Sequence, residues 1–177
     1  MWQNVRQLIR WFIVGGLVFF LILIGVEMLG MEPASAAIRQ FEEAPGQVLS
    51  QSRQTLKDQY ENSWQAIAFK RVLPDDSTIL ALRLVGFPGT VEIDRDQDLA
   101  LTNSLSKTLR AKDVSDRIFA DDAIPEPSVG QYDMAPLIHE LAPIMPLKLS
   151  LPTTQGEPVE LWVPPALIKE WQTLLNQ

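Results

Sequence analysis

The chain has no cysteine in its 177 residues. Disulfides, thiol catalysis, iron–sulfur clusters and cysteine zinc sites are therefore excluded, and stability must come from the core. Histidine occurs once, at His139. A Ser–His–acid triad would have to use it, and no G-x-S-x-G elbow accompanies it. His139 reads as a surface residue, and a transition-metal site has too few ligands. Positive charge is in deficit, with 15 basic against 22 acidic groups and a formal charge of −7. That balance argues against nucleic acid or an anionic membrane surface as partner, since both require clustered positive charge. A glycine-rich phosphate loop is missing as well. Gly86-Phe87-Pro88-Gly89 has the wrong spacing and reads as a turn.

What the chain does have is one long apolar run, WFIVGGLVFFLILIGV at residues 11–26, preceded by Arg6 and Arg10 and interrupted by Glu27. The run lies between the length of a signal core and that of a spanning helix. Ala34-Ser35-Ala36 follows, with small side chains where a signal peptidase cutting after Ala36 requires them. Two readings stand for this hydrophobic helix at residues 1–36: a cleaved signal peptide, or an uncleaved membrane anchor over residues 11–31. Either places the N-terminus inside and exports the remainder. Removing residues 1–36 takes away two Arg and two Glu and leaves the charge at −7.

Residues 37–177 are long enough for one domain. AIRQFEEAPG (37–46) reads as an irregular lead-in. Residues 47–73 read as a β-hairpin turning near Gln59–Asn62, and TILALRLVGF reads as a central strand ended by Pro88-Gly89. TVEID and DLALTN are strand candidates, with KTLRA pairing back across Asn103–Ser106. DVSDRIFA predicts two helical turns capped by Asp113. After the Pro-rich link AIPEPSVGQY, Asp133 is placed to cap a second helix whose stripe is Met134, Leu137, Ile138 and Leu141. LKLSL and VELWV predict a hairpin. Pro164-Pro165 opens a last helix with the stripe Leu167, Ile168, Trp171, Leu174 and Leu175. The expected fold class is α+β: a single domain, mainly an antiparallel curved sheet or open barrel of six or seven strands, with two or three short helices.

The candidate sites are few. Asp94, Asp96 and Asp98 alternate as in the opening of a calcium loop, but Leu99 and Leu105 stand where that loop needs Gly and Glu, so a solvated turn is the better reading. Trp64, Trp162 and Trp171 suit core packing or an apolar pocket. Val129-Gly130-Gln131-Tyr132-Asp133 has two readings. It is either a packed turn anchored by Tyr132 or, together with Trp162, a loop that docks a partner. On the docking reading, Tyr132→Ala removes a partner without lowering stability.

The blocks AAIRQFEEAPGQ, NSWQAIAFKR, LRLVGFPG, VGQYD and VPPALIKEWQ, spread from Ala37 to Gln172, resemble an exported cyanobacterial family of unknown function. The resemblance implies the thylakoid lumen or the periplasm and transfers no catalytic residue. The expected function is a non-enzymatic domain that binds another protein, an accessory or assembly factor of a photosynthetic membrane complex. The alternative is a carrier of a small lipid or pigment between the sheet and the C-terminal helix. No catalytic residue, cofactor or metal is expected.

Overall fold

The computed structural model describes residues 38–44, 46–119 and 123–174. All lie in one unit, Ala36–Gln177. The hydrophobic run and the Ala34–Ala36 site fall outside the described residues. No described helix is long and apolar enough to cross a membrane.

Two antiparallel sheets replace the single curved sheet expected. The first has the order β1-β2-β3-β4-β7, from β1 (Arg39–Ala44), β2 (Gln47–Lys57), β3 (Ser63–Val72), β4 (Thr78–Val85) and β7 (Val129–Asp133). The second has the order β6-β5-β8-β9, from β5 (Leu99–Asn103), β6 (Thr108–Ala111), β8 (Leu147–Leu151) and β9 (Val159–Val163). They do not close into a barrel. Single bridges join them at each side: Asp58 to Leu161, and Asp113 to Tyr132. The one α-helix among the described residues, α1 (Pro165–Thr173), carries Pro at its first position, where a missing N–H costs nothing.

Period-2 alternation builds the core. The first sheet turns Trp64, Ala66, Ala68, Leu80, Leu82, Leu84 and Tyr132 inward, and the second turns in Leu99, Leu101, Leu149, Leu151, Leu161 and Val163. These residues join Leu167, Ile168, Trp171 and Leu174 of α1 in one apolar cluster. The Gln172 amide ties the helix to the carbonyls of Ile138 and Leu141 at 3.2 and 2.7 Å.

The hairpins at 47–73, at 99–111 and at 147–163 form as the alternation predicts. Four expectations are corrected. TVEID forms no strand, and only Ile93 makes a single bridge, to Thr153. The lead-in is strand β1. Its six residues are all exposed, so no apolar periodicity marked it, and it pairs with β2 through the turn at Gly46, φ +78°. DVSDRIFA forms only a 3-10 turn, Ser115–Arg117, because residues 112–114 run alongside β7 instead. The second helix shrinks to a 3-10 turn, Ile138–Glu140. Its stripe residues Met134, Leu137, Ile138 and Leu141 are buried as expected, but the Met134 amide bonds to the Leu80 carbonyl, holding the chain to the sheet.

After β4 the chain passes Gly86 directly over the Trp64 ring. A Cβ there would sit 2.8 Å from a ring carbon, and Trp64 is only 1% exposed, so neither can move. Gly86→Ala is expected to cost about 1–3 kcal/mol by overpacking. Gly89 has open space around it and φ +79°, so Gly89→Ala should cost about 1 kcal/mol from backbone strain alone. Urea unfolding of the two variants separates these causes.

Candidate partner-binding surface

The docking candidates do not form one surface. Val129–Asp133 is not a loop but β7, bonded to β4 along one edge. On the other edge it meets residues 112–115. The Val114 amide donates to the Gln131 carbonyl at 2.8 Å, the Asp133 amide to the Lys112 carbonyl at 3.0 Å, and the Gln131 amide to Ser115 Oγ at 2.9 Å. Ser115 in turn donates to Asp113 through its amide at 2.8 Å and its hydroxyl at 2.9 Å. Burial raises the Asp113 pKa more than these bonds lower it. Arg95 Nη2 reaches the carbonyls of Pro125, Glu126 and Val129 at 2.8–3.1 Å, fixing the approach to β7. Arg95, Asp113 and Ser115 line an open cleft of about 460 Å³. Arg95 Nε is buried without a hydrogen-bond partner among the described residues.

Within β7, Gly130 and Gln131 are buried, Val129 and Asp133 are partly exposed, and Tyr132 is 0% exposed. The Tyr132 ring lies back over Gly130, where a Cβ would come within 2.8 Å of the hydroxyl. That hydroxyl has no hydrogen-bond partner among the described residues. Burial first, and the Asp113 charge second, push its pKa far above the usual phenol value. Tyr132 is therefore core, as the packed reading held, though in a strand rather than a turn. Trp162 is 58% exposed, on the outward face of β9 beside Lys148. It stands on the second sheet, whereas the outward side chains of β7 stand on the first.

His139 is exposed. The Asp94 carboxylate accepts from the Asp96 amide at 3.1 Å and from the Gln97 amide group at 2.5 Å, so it caps its own turn. Among the described residues no group of three or more acids or histidines is gathered as a metal site. Leu167, Ile168, Trp171 and Leu174 of α1 belong to the core cluster.

The surface that sequence reasoning missed is the outward face of the first sheet. Cross-strand register places Arg39, Phe41, Leu49, Arg53, Ile67, Phe69, Arg71, Ile79, Arg83 and Val85 on it. Apolar side chains at so many outward positions are unusual for a face turned to water. Phe69 is 4% exposed. The Arg71 and Arg83 guanidiniums stand 5.6 and 5.4 Å from its ring centre. Arg71 pairs with Glu43 at 2.9 Å. Arg83 directs Nε and Nη2 at the single amide oxygen of Gln131, at 3.1 and 2.7 Å. The signal was present as Ile67/Phe69/Arg71 alternation, but which face of the strand met the core depended on the partner sheet.

These features define a two-sheet antiparallel β domain with one C-terminal helix and an apolar, arginine-bearing outer face. The chain belongs to the family described as a protein of unknown function (DUF3122), matched over residues 36–174. No curated protein and no solved structure matches it.

Proposed function

We propose that the domain is a non-enzymatic protein-binding module of an exported compartment, docking through the outward face of the first sheet. The observation that carries this is the set of Phe41, Leu49, Ile67, Ile79 and Val85 on a face opposite the core. Such a patch is stabilised when a partner removes it from water. The apolar run at residues 11–26, read as a signal or anchor, and the resemblance to proteins of photosynthetic bacteria support a thylakoid-lumenal or periplasmic location. They also support a photosynthetic membrane complex, or its assembly, as the place to seek the partner.

The test is co-purification with a C-terminally tagged chain from gently solubilised membranes. A partner retained by the wild type should be lost from Phe41→Ser/Ile67→Thr, with the thermal midpoint shifted by only a few degrees. A partner retained by both would overturn the assignment of this face. In the same preparation, a chain starting at Ala37 and released by alkaline carbonate is the expected result. One starting at Met1 and resisting the wash would make residues 11–31 an anchor.

A further inference from the structure

Arg83 is a half-buried charge on the outer face. It sits inside the sheet, between β3 and β7, and among the described residues its hydrogen-bond acceptor is the neutral Gln131 oxygen. No carboxylate pairs with it among the described residues. Burial, and then the charge of Arg71, lower its pKa more than the nearby Glu43 carboxylate raises it. Arg53 lies in the same cross-strand row, through Ile67. Beside this row runs a groove of about 140 Å³, lined by Phe69, Arg71, Ile79, Arg117, Gln131 and Asp133 among others. Asp133 is engaged by the Ala135 amide at 3.0 Å, and Glu43 by Arg71. The chain is acidic overall, yet it gathers Arg39, Arg53, Arg71 and Arg83 on one sheet face.

We propose that this face receives an acidic segment of a partner protein, one carboxylate of which reaches Arg83 beside Phe69 while its apolar neighbours lie along Ile67 and Ile79. The inference rests on the protein-binding reading above and adds the partner's chemistry. A carboxylate would give Arg83 a charge-assisted bond, roughly twice as strong as a neutral one. The apolar floor distinguishes this surface from a site for a small hydrated anion. A polyanion such as nucleic acid or an anionic bilayer would meet the −7 charge of the whole chain. A short acidic segment responds mainly to charges within a Debye length, about 8 Å at physiological salt.

The test uses two fluorescein-labelled peptides, one alternating glutamate with valine and one alternating lysine with valine, read by anisotropy at low and physiological salt. The glutamate peptide is expected to bind and to weaken with salt. Arg83→Gln should weaken it by about tenfold or more, as truncating a partly desolvated charge contact does. Arg83→Lys should recover only part of the loss, because it keeps the charge without the planar fork. Arg110→Gln, on the outward face of the second sheet, should leave binding unchanged. Thermal midpoints of all variants control for folding. Equal binding of both peptides, no binding of the glutamate peptide, or indifference to Arg83→Gln would overturn the proposal. So would tighter Arg83-dependent binding of an oligonucleotide or of anionic vesicles. If Phe41→Ser/Ile67→Thr loses the native partner while Arg83→Gln keeps it, the docking face stands and the acidic chemistry fails.

Discussion

Tyr132→Ala should destabilise the domain by about 3–5 kcal/mol, the cost of removing a fully buried aromatic and leaving a cavity. The ring lies on the inner face of the five-stranded sheet, 0% exposed, and packs over Gly130 and near Ile93. Tyr132→Phe should be neutral or slightly stabilising, because the hydroxyl it removes is buried without a partner among the described residues. Urea unfolding of the two variants checks both expectations. A large loss in Tyr132→Phe would mean that the hydroxyl has a partner. A small loss in Tyr132→Ala would mean that the ring is not core. Loss of a binding partner in Tyr132→Ala would then report unfolding, so the docking face is better tested at Phe41, Ile67 and Arg83. Gly130→Val should behave like Tyr132→Ala, since its side chain would claim the space of the ring.

Asp58→Asn is expected to cost about 3 kcal/mol near neutral pH, through loss of a charge-assisted network around a buried carboxylate. Asp58 is 4% exposed and opens the turn between β2 and β3. One carboxylate oxygen accepts from the amides of Tyr60 and Asn62, each at 2.8 Å. The other accepts from the side chains of Asn62 and Trp64, each at 3.1 Å. Asparagine would turn its NH₂ toward two donors. The same turn fastens the sheets. Asp58 bridges to Leu161, Gln59 donates to the Pro158 carbonyl at 2.9 Å, and the Tyr60 hydroxyl donates to Glu157 at 2.8 Å.

Burial acts to raise the Asp58 pKa, but the hydrogen bonds from Asn62, Trp64 and Tyr60 together outweigh it, and the pKa falls below 3.8. A carboxylate with a depressed folded pKa stabilises the protein fully above its unfolded value. That contribution disappears as pH falls through the folded value. The gap between wild type and Asp58→Asn should therefore be widest at neutral pH and should close below about pH 4. Urea midpoints across that range measure it. A gap that stayed constant into acid would show that the carboxylate charge is not what holds the turn.

Much of the fold was legible locally. The hairpins read directly because alternation and turn residues are properties of neighbours in sequence. The last helix read directly because its stripe and Pro165 agree. Apart from β1, the failures share one cause, which is competition from distant strands. Met134, Leu137, Ile138 and Leu141 keep helical spacing and are all buried, yet the backbone bonds to β4 at Leu80. VGQYD follows a Pro-rich link and carries glycine, so it resembled a loop. Its amides and carbonyls find partners 48 residues upstream in β4, from Arg83 to Gln131, and sequence spacing carries no mark of that. β1 is exposed throughout, so it had no apolar pattern to show.

The candidate surface divides in the same way. The sequence by itself determined that the chain lacks cysteine, that it is acidic, that Leu147/Leu149/Leu151 and Val159/Leu161/Val163 share faces, and that Ile67, Phe69 and Arg71 share another. Only the tertiary structure decided which face met the core. The second sheet covers the Trp64/Ala66/Ala68 side, and Phe69 is left outside under Arg71 and Arg83. The physical reason is that strand geometry sets the period of two, whereas burial is set by whichever surface another sheet happens to cover.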